Sequence, residues 1–284
     1  MNPILITECP RDAMQGIHRF IPTEIKAAYL QRLLRVGFDR LDFGSFVSPK
    51  AIPQMRDTRD VLRMLDIPER STTQLLAIVA NVRGAEEAAM EEAVGFVGFP
   101  FSVSETFQLR NTNSTIAHSL DVVKKMVAIC HVNGKTPLVY LSMAFGNPYG
   151  EPWSLAMVAD YTGMLTDLGI RHVAIADTIG SSTPDLIASL YTYVCTAFPD
   201  VEFGLHLHSS PEASRDKLAA ALDAGCIRFD TALRGFGGCP MAEDKLTGNI
   251  ATETLLALLY ERNIPSGLDM EAWTEAMRYS SEVF

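Results

Sequence analysis

The sequence has 284 residues, of which 48% are hydrophobic and 20% charged, a composition that is ordinary for a globular enzyme with a large core. Its formal net charge is −10 and it contains no basic run, so we expect no nucleic-acid partner. No N-terminal signal pattern is present and no stretch approaches the roughly 20 apolar residues that span a bilayer, which predicts a cytoplasmic protein without a membrane partner.

The cysteines show no regular spacing. They are Cys9, Cys130, Cys195, Cys226 and Cys239, and none of them forms a Cys-x-x-Cys pair. This pattern argues against a disulfide framework and against a zinc ribbon, and it indicates a reducing compartment.

Short apolar runs alternate with longer amphipathic stretches along the chain. The predicted strands are residues 3–9, 40–46, 74–80, 93–99, 136–142, 171–177, 202–208 and 226–232. Helices are predicted between them, such as one that begins at Thr23 after Pro22. Gly37, Gly169 and Gly225 are each predicted to close a helix just before the next strand.

Eight strand–helix units in a row, without a linker or a shift in composition, favour an α/β fold of the (β/α)8 TIM-barrel type. A doubly wound sheet would carry a glycine-rich phosphate loop after its first strand, and "ECPRDAMQG" is not such a loop. We predict a barrel domain over residues 1–265 and a C-terminal helical appendage over residues 266–284.

In such a barrel, active-site residues lie at the carboxyl ends of the strands and in the loops that follow. The polar residues at these places are Glu8, Arg11 and Asp12 (strand 1), Asp42 (strand 2), Asp177 and Thr178 (strand 6), His206 and His208 (strand 7), and Cys239 and Asn249 (after strand 8). Because side chains alternate along a strand, His206 and His208 face the same side. With Asp12 they could complete a metal site of nitrogen and oxygen ligands.

Each of these residues also has a purely structural interpretation. A His-x-His pair in a strand is more often hydrogen-bonded or exposed than metal-binding. The acidic residues after the strands can cap turns, and Arg11 with Asp12 can form a local salt bridge. Cys239 among glycines can be a small inert residue in a tight loop.

Eight motifs spread over nearly the whole chain carry a family resemblance. They are "PRDAMQ" (10–15), "SFVSPKAIPQM" (45–55), "SETF" (104–107), "FGNPYG" (145–150), "ADTIGSSTP" (176–184), "HLH" (206–208), "GFGGCP" (235–240) and "TGNIATE" (247–253). The sequence resembles the 3-hydroxy-3-methylglutaryl-CoA lyase branch of the metal-dependent aldolase-like barrels, a family that also contains isopropylmalate and homocitrate synthases.

The resemblance implies a divalent metal, Mg²⁺ or Mn²⁺, held by Asp12, His206, His208 and Asn249, a set of hard oxygen donors with imidazole. The substrate would be an acyl-CoA that adds its tertiary hydroxyl and a carboxylate oxygen to the metal. The reaction implied is a retro-Claisen cleavage of 3-hydroxy-3-methylglutaryl-CoA to acetoacetate and acetyl-CoA.

The same resemblance implies roles for the catalytic candidates. Arg11 would stabilise the enolate oxygen, because its guanidinium stays charged and offers fixed donors. His206, Asp12 or another carboxylate such as Asp42 would take the hydroxyl proton. Cys239 would protonate the departing acetyl-CoA carbanion, and Asp177 is a catalytic candidate through its place at the end of strand 6.

The sequence also departs from the family pattern. Ser209 and Ser210 stand where the family has Asp-Thr, Asp42 replaces a Glu, Ala13 replaces a Gly and Asn147 replaces a Cys. Such changes beside a metal site alter activity and specificity. Three alternatives to the leading prediction therefore stay open: a lyase for another 3-hydroxyacyl-CoA, a synthase that condenses acetyl-CoA with an α-keto acid, and a catalytically silent barrel.

The sequence says less about assembly and about the CoA tail. We expect a homodimer or a higher homo-oligomer, as is common for barrels of this family. No basic cluster marks a site for the CoA tail, and His18, Arg19 and Lys50 are the basic residues that we consider for it.

Overall fold

Eight parallel strands close into a barrel in the order β1 to β8, with β8 paired to β1. The structure is a computed structural model that describes residues 3–68, 71–238 and 247–284. The closed sheet confirms the predicted TIM barrel and rules out the doubly wound alternative. Within the described ranges, none of the helices combines the length and the hydropathy that a membrane span requires.

Every predicted strand is present within a few residues of its predicted bounds. The strands are β1 (Leu5–Glu8), β2 (Arg40–Ser45), β3 (Gln74–Ile78), β4 (Val94–Ser102), β5 (Thr136–Ser142), β6 (His172–Asp177), β7 (Glu202–Leu207) and β8 (Arg228–Thr231). The helices are α1 (Pro10–Gln15), α2 (Thr23–Val36), α3 (Thr58–Arg63), α4 (Val82–Ala89), α5 (Glu105–Thr112), α6 (Ile116–Val132), α7 (Leu155–Asp167), α8 (Pro184–Ala197), α9 (Pro211–Asp223), α10 (Thr252–Glu261) and α11 (Met270–Val283).

The predicted helix ends are confirmed by the backbone angles. Gly37, Gly169 and Gly225 follow α2, α7 and α9 with φ of 83°, 100° and 87°. These angles lie in the left-handed region, where a side chain with a Cβ is unfavourable. Glycine therefore lets each helix stop and the chain turn directly into the next strand.

The amino-terminal end of the barrel is filled by a network of charged side chains at the first residues of the strands. Arg40 donates to Glu202 at 2.8 Å, and its guanidinium lies 3.9 Å from the ring centre of Phe96. Arg228 lies 2.7 Å from Glu202 and donates to Asp39 at 2.5 Å. Above this network the interior is apolar, with a buried cluster of Leu76, Ile78, Phe96, Leu138, Tyr140 and Ala174. The open cavity lies at the opposite, carboxyl end of the strands.

The predicted C-terminal appendage is a helix, α11, that packs along α2. The carboxylate of Asp269 accepts hydrogen bonds from the first turn of α11, and its backbone N–H donates to Val36 at 2.9 Å. The division of the chain at residue 265 stays a prediction.

Glu8 joins the end of β1 to the segment after β8. Its carboxyl group accepts from the backbone N–H of Leu233 at 2.7 Å and from the Thr252 hydroxyl at 2.6 Å. The side chain is fully buried, and burial raises the pKa of Glu8 to about 8 in spite of these two hydrogen bonds. Glu8 therefore has the contacts of a structural bridge.

We expect the free energy of unfolding of Glu8→Gln, relative to that of the wild type, to be higher at pH 8 than at pH 5. An unfolded Glu has a pKa near 4.5, so over most of this window the side chain is ionised in the unfolded state and still protonated in the folded state. The wild-type free energy of unfolding therefore falls as the pH rises through this window, and a neutral Gln removes this dependence. Urea unfolding at both pH values measures the difference.

The matched control is Glu24→Gln, which changes an exposed glutamate of α2. Its effect on the free energy of unfolding should be the same at both pH values. If Glu8→Gln also shifted stability by one constant amount, Glu8 would be ionised in the folded protein and the assignment would be wrong.

Candidate functional site

A cavity of about 430 Å³ opens at the carboxyl end of the barrel. Arg11, Asp12, His206 and His208 line it, so the barrel brings four of the predicted site residues to one wall. The cavity is also lined by Gln15, Tyr140 and Arg110. The sequence prediction that these side chains converge is therefore consistent with the geometry.

Arg11 and Asp12 enter the site on α1, a short helix that begins with Pro10 directly after β1. Arg11 Nε and Nη2 donate to the carboxylate of Asp42 at 3.1 and 2.6 Å. Its Nη1 donates to Asp12 Oδ1 at 3.0 Å and to Gln15 Oε1 at 2.9 Å. A guanidinium has five N–H groups, and these bonds among the described residues use four of them. One N–H of Nη2 is therefore left for a ligand in the cavity.

Charges that surround Asp12 keep it ionised. Burial by itself would raise the pKa of Asp12, but Arg11, followed by His206, more than offsets burial and holds this pKa well below its usual value. The other partner of Arg11 behaves differently. Burial raises the pKa of Asp42 to about 6, and the neighbouring Arg11 only partly opposes this rise.

His208 presents an unprotonated nitrogen to the site. Its Nδ1 lies 2.9 Å from the backbone oxygen of Thr178, and because a carbonyl only accepts, Nδ1 carries the proton. Burial, followed by the proximity of His206, lowers the pKa of His208 to about 4, so the ring is neutral at pH 7. Its Nε2 is buried without a hydrogen-bond partner among the described residues. A buried free lone pair of this kind is what a metal ligand requires.

His206 is oriented by Asp230, a residue that the sequence analysis missed. His206 Nδ1 lies 3.3 Å from Asp230 Oδ2, and the Tyr140 ring packs edge-on against the imidazole at 5.4 Å. Burial would lower the pKa of His206, but the Asp230 carboxylate outweighs it and raises this pKa. A signal was available in the sequence, because Asp230 is a charged residue near the carboxyl end of the predicted eighth strand, where active-site residues of a barrel lie.

Asn249 reaches the site from the segment after β8. Its Nδ2 donates to Asp12 Oδ2 at 2.7 Å and to the backbone oxygen of Phe236 at 2.9 Å. Both partners are acceptors, which fixes the amide orientation and leaves Asn249 Oδ1 buried without a partner among the described residues. Gly237 makes room for this amide, since a Cβ there would lie 2.5 Å from Nδ2.

These residues fit a divalent metal. Ligand atoms of Asp12, His206 and His208 all lie within 4.8 Å of one another, and all three side chains are buried. Asn249 Oδ1, which has no partner among the described residues, adds a fourth donor, so the set combines oxygen and imidazole without a thiolate. The oxygen donors suit Mg²⁺ and Mn²⁺.

A second group, Cys9 with His206 and Asp230, has similar spacing. Burial, followed by the charge of Asp230, raises the pKa of the Cys9 thiol well above its usual value, so the sulfur stays protonated and is a poor ligand. His206 Nδ1 is also already engaged with Asp230 in this group. Of the two groups, the one that contains Asp12 is therefore better suited to hold a metal.

Asp177 does not line the cavity. Its carboxylate accepts from the backbone N–H groups of Ser181 and Ser182 at 2.9 and 3.0 Å and from Lys217 at 2.9 Å. Lys217 is buried on α9 and also donates to the backbone oxygen of His208 at 3.0 Å. The pair stabilises the turn after β6 and the end of β7, and the catalytic role of Asp177 stays a prediction.

The remaining predicted residues do not share one location. Cys239 lies outside the described residues. Ser210, at a departure from the family pattern, immediately precedes α9, and Ser209 donates its backbone N–H to Gly248 at 3.0 Å. None of His18, Arg19 and Lys50 lines the cavity, whereas Arg110, an exposed residue at the end of α5, does.

Known proteins of one family are similar to this chain over nearly its whole length. A profile of the HMGL-like family matches residues 2–279. The hydroxymethylglutaryl-CoA lyase YngG of Bacillus subtilis is 32% identical over 96% of this chain and 90% of its own length. The (R)-citramalyl-CoA lyase of Chloroflexus aurantiacus is 31% identical over 98% of this chain and 89% of its own.

Solved structures of HMG-CoA lyases are also similar to this chain. The HMG-CoA lyase of Acenitobacter baumannii, in complex with coenzyme A and 3-methylmalate, has a TM-score of 0.91 and 29% identity, covering 99% of this chain and 91% of its own. The HMG-CoA lyase of Brucella melitensis has a TM-score of 0.90 and 30% identity, covering 99% of this chain and 98% of its own. With the barrel, the converging site and these relatives, the chain belongs to the HMGL-like family and is a carbon–carbon lyase.

Proposed function

We propose that the protein cleaves 3-hydroxy-3-methylglutaryl-CoA to acetoacetate and acetyl-CoA with the help of Mg²⁺ or Mn²⁺. The observation that carries this proposal is the convergence of Asp12, His206, His208 and Asn249 beside Arg11 at the carboxyl end of the barrel. When bound by these four side chains, the metal would acidify the tertiary hydroxyl of the substrate and orient it.

One N–H of Arg11 Nη2 has no partner among the described residues. This donor supports a role for Arg11 on the thioester side of the breaking bond. As the C2–C3 bond breaks, its electron pair moves onto the thioester and makes an enolate oxygen. A fixed donor of a charged guanidinium stabilises that oxygen more than it stabilises the neutral carbonyl of the substrate. Asp42 and Gln15 hold the guanidinium in place, so its remaining donor needs no reorientation.

The hydroxyl proton needs an acceptor on the cavity wall. Of the three predicted acceptors, Asp12 and His206 line the cavity, whereas the carboxylate of Asp42 is bound by Arg11 and is absent from the wall. We assign the proton to Asp12 or His206. His206 could take the proton only on Nε2 while that nitrogen is not bound to the metal, and Asp230 would then stabilise the protonated ring. Cys239 is proposed, on the family resemblance, to return a proton to the acetyl-CoA carbanion.

A second substrate is favoured by one specific observation. The citramalyl-CoA lyase is as similar to this chain as the hydroxymethylglutaryl-CoA lyases are, at 31% against 32% identity. Both thioesters carry a tertiary hydroxyl on C3 and differ by one methylene before the carboxylate. Cleavage of citramalyl-CoA by the same steps would give pyruvate and acetyl-CoA.

An assay with purified protein and a panel of tertiary 3-hydroxyacyl-CoA thioesters tests the proposal. With Mg²⁺ or Mn²⁺ present, we expect acetyl-CoA and acetoacetate from hydroxymethylglutaryl-CoA, and no product after EDTA. Pyruvate from citramalyl-CoA at a higher kcat/KM would assign the second substrate instead. Consumption of acetyl-CoA with an α-keto acid and no cleavage would identify a synthase and overturn the proposal.

A further inference from the structure

The segment after β8 contains a non-glycine residue in a left-handed conformation. Arg234 has φ 63° and ψ 3°, within a short 3-10 helix formed by Leu233–Gly235. An L-residue pays a steric cost at such angles and stays there only when its surroundings hold it. We call residues 234–238 the stem, because Gly238 is bonded directly to Cys239.

The C-terminal helix supplies the contacts that hold Arg234. Arg234 Nε donates to the buried hydroxyl oxygen of Ser280 at 2.6 Å, and Nη2 donates to the backbone oxygen of Met277 at 3.2 Å. Its backbone N–H donates to both carboxylate oxygens of Glu253 at 3.1 Å. Two of these three partners belong to α11, the helix predicted as an appendage to the barrel.

A second contact between the stem and the end of α11 is aromatic. The rings of Phe236 and Phe284 stack with their centres 4.5 Å apart and their planes 16° from parallel. The backbone oxygen of the same Phe236 accepts from Asn249 Nδ2 at 2.9 Å, and Asn249 in turn donates to Asp12. A continuous line of contacts therefore runs from α11 through the stem to the proposed metal ligands.

We propose that Arg234 is a positioning residue for the lyase reaction, and that α11 acts through it as part of the catalytic unit. By fixing the stem, Arg234 sets the position of the Phe236 carbonyl that orients Asn249. Arg234 reaches the reacting atoms only through Asn249. The inference rests on the proposed function.

Arg234→Gly tests the proposal. Glycine accepts the left-handed angles without strain, so the variant removes the anchor and leaves the backbone free to keep its path. We expect the affinity for Mn²⁺, measured by calorimetry, to fall about tenfold, as is typical when a residue that orients a metal ligand is lost. We expect kcat for hydroxymethylglutaryl-CoA to fall by a similar factor while KM changes little, and Arg234→Lys to restore part of both losses.

Two further variants keep the test decisive. Asn263→Gly changes another left-handed residue, with φ 54°, that lies away from the stem, and it should leave Mn²⁺ affinity and kcat unchanged. Ser280→Ala removes one acceptor of Arg234 and should weaken Mn²⁺ binding in the same direction, which covers the case in which Arg234→Gly fails to fold.

The outcomes separate this inference from the proposed function. Wild-type Mn²⁺ affinity and kcat in a folded Arg234→Gly protein would overturn the positioning role. An inactive wild-type protein whose Mn²⁺ affinity is unaltered by both variants would overturn the function and the inference together. An inactive wild type whose Mn²⁺ affinity falls in the variants would overturn the function alone and support the line of contacts to Asn249.

Discussion

Arg11→Met is expected to lower kcat for thioester cleavage by about a hundred- to thousandfold, the range typical for loss of one oxyanion donor. Methionine fills much of the volume of the arginine stem but offers no N–H to the enolate oxygen. Because Arg11 is not a proposed metal ligand, Mn²⁺ should still bind. Release of acetyl-CoA at saturating substrate, with Mn²⁺ calorimetry in parallel, measures both expectations.

Arg11→Lys separates charge from geometry. Lysine keeps the positive charge but cannot make the forked contacts with Asp42 and the bond to Gln15 at the same time. We therefore expect Arg11→Lys to recover only a small part of kcat. Arg262→Met, which removes a half-buried arginine paired with Asp223, is the control and should behave as wild type. A kcat for Arg11→Met within threefold of the wild type would exclude Arg11 from the reaction.

His208→Ala is expected to weaken Mn²⁺ binding by more than about a hundredfold, beyond the range for residues that only orient a ligand. The neutral ring presents to the site an Nε2 that has no partner in the described part of the chain, and alanine supplies no donor in its place. Activity should be lost at micromolar Mn²⁺ and recover in part at a large excess of metal. Calorimetry of the metal-free protein checks the affinity.

His118→Ala is the matched control for this variant. His118 is exposed on α6, and its replacement should leave Mn²⁺ affinity unchanged. Thermal unfolding of metal-free His208→Ala, compared with the metal-free wild type, shows whether the variant is folded. An unchanged Mn²⁺ titration in a folded His208→Ala protein would remove His208 from the ligand set.

The barrel and the convergence of the site were within reach of the sequence. Apolar runs of strand length gave the eight strands, and the period of two along β7 placed His206 and His208 on one side. In a closed parallel barrel, the carboxyl ends of all strands meet at one face, which brings Asp12 close to both histidines. These inferences need only the order of the elements.

The hydrogen-bond and ion-pair partners of the site residues could not be predicted from the order of the elements. Alternation tells which way Asp230 or Asp177 points, but the choice of partner depends on the register between strands and on loop geometry. A lysine on a helix is usually solvated, yet the ammonium group of Lys217 is buried and contacts the ends of two strands. Asp177, similarly, has a site-like position in the sequence and the contacts of a turn.

Asn249 and Asp12 are hydrogen-bonded although 237 residues separate them. During synthesis the growing chain therefore lacks the full set of proposed metal ligands until the segment after β8 has left the ribosome, when most of the barrel has already been made. A metal that binds only this completed arrangement stabilises the native state in proportion to the logarithm of its concentration. The supply of metal would then affect the stability of a newly made chain as well as the rate at which it cleaves substrate.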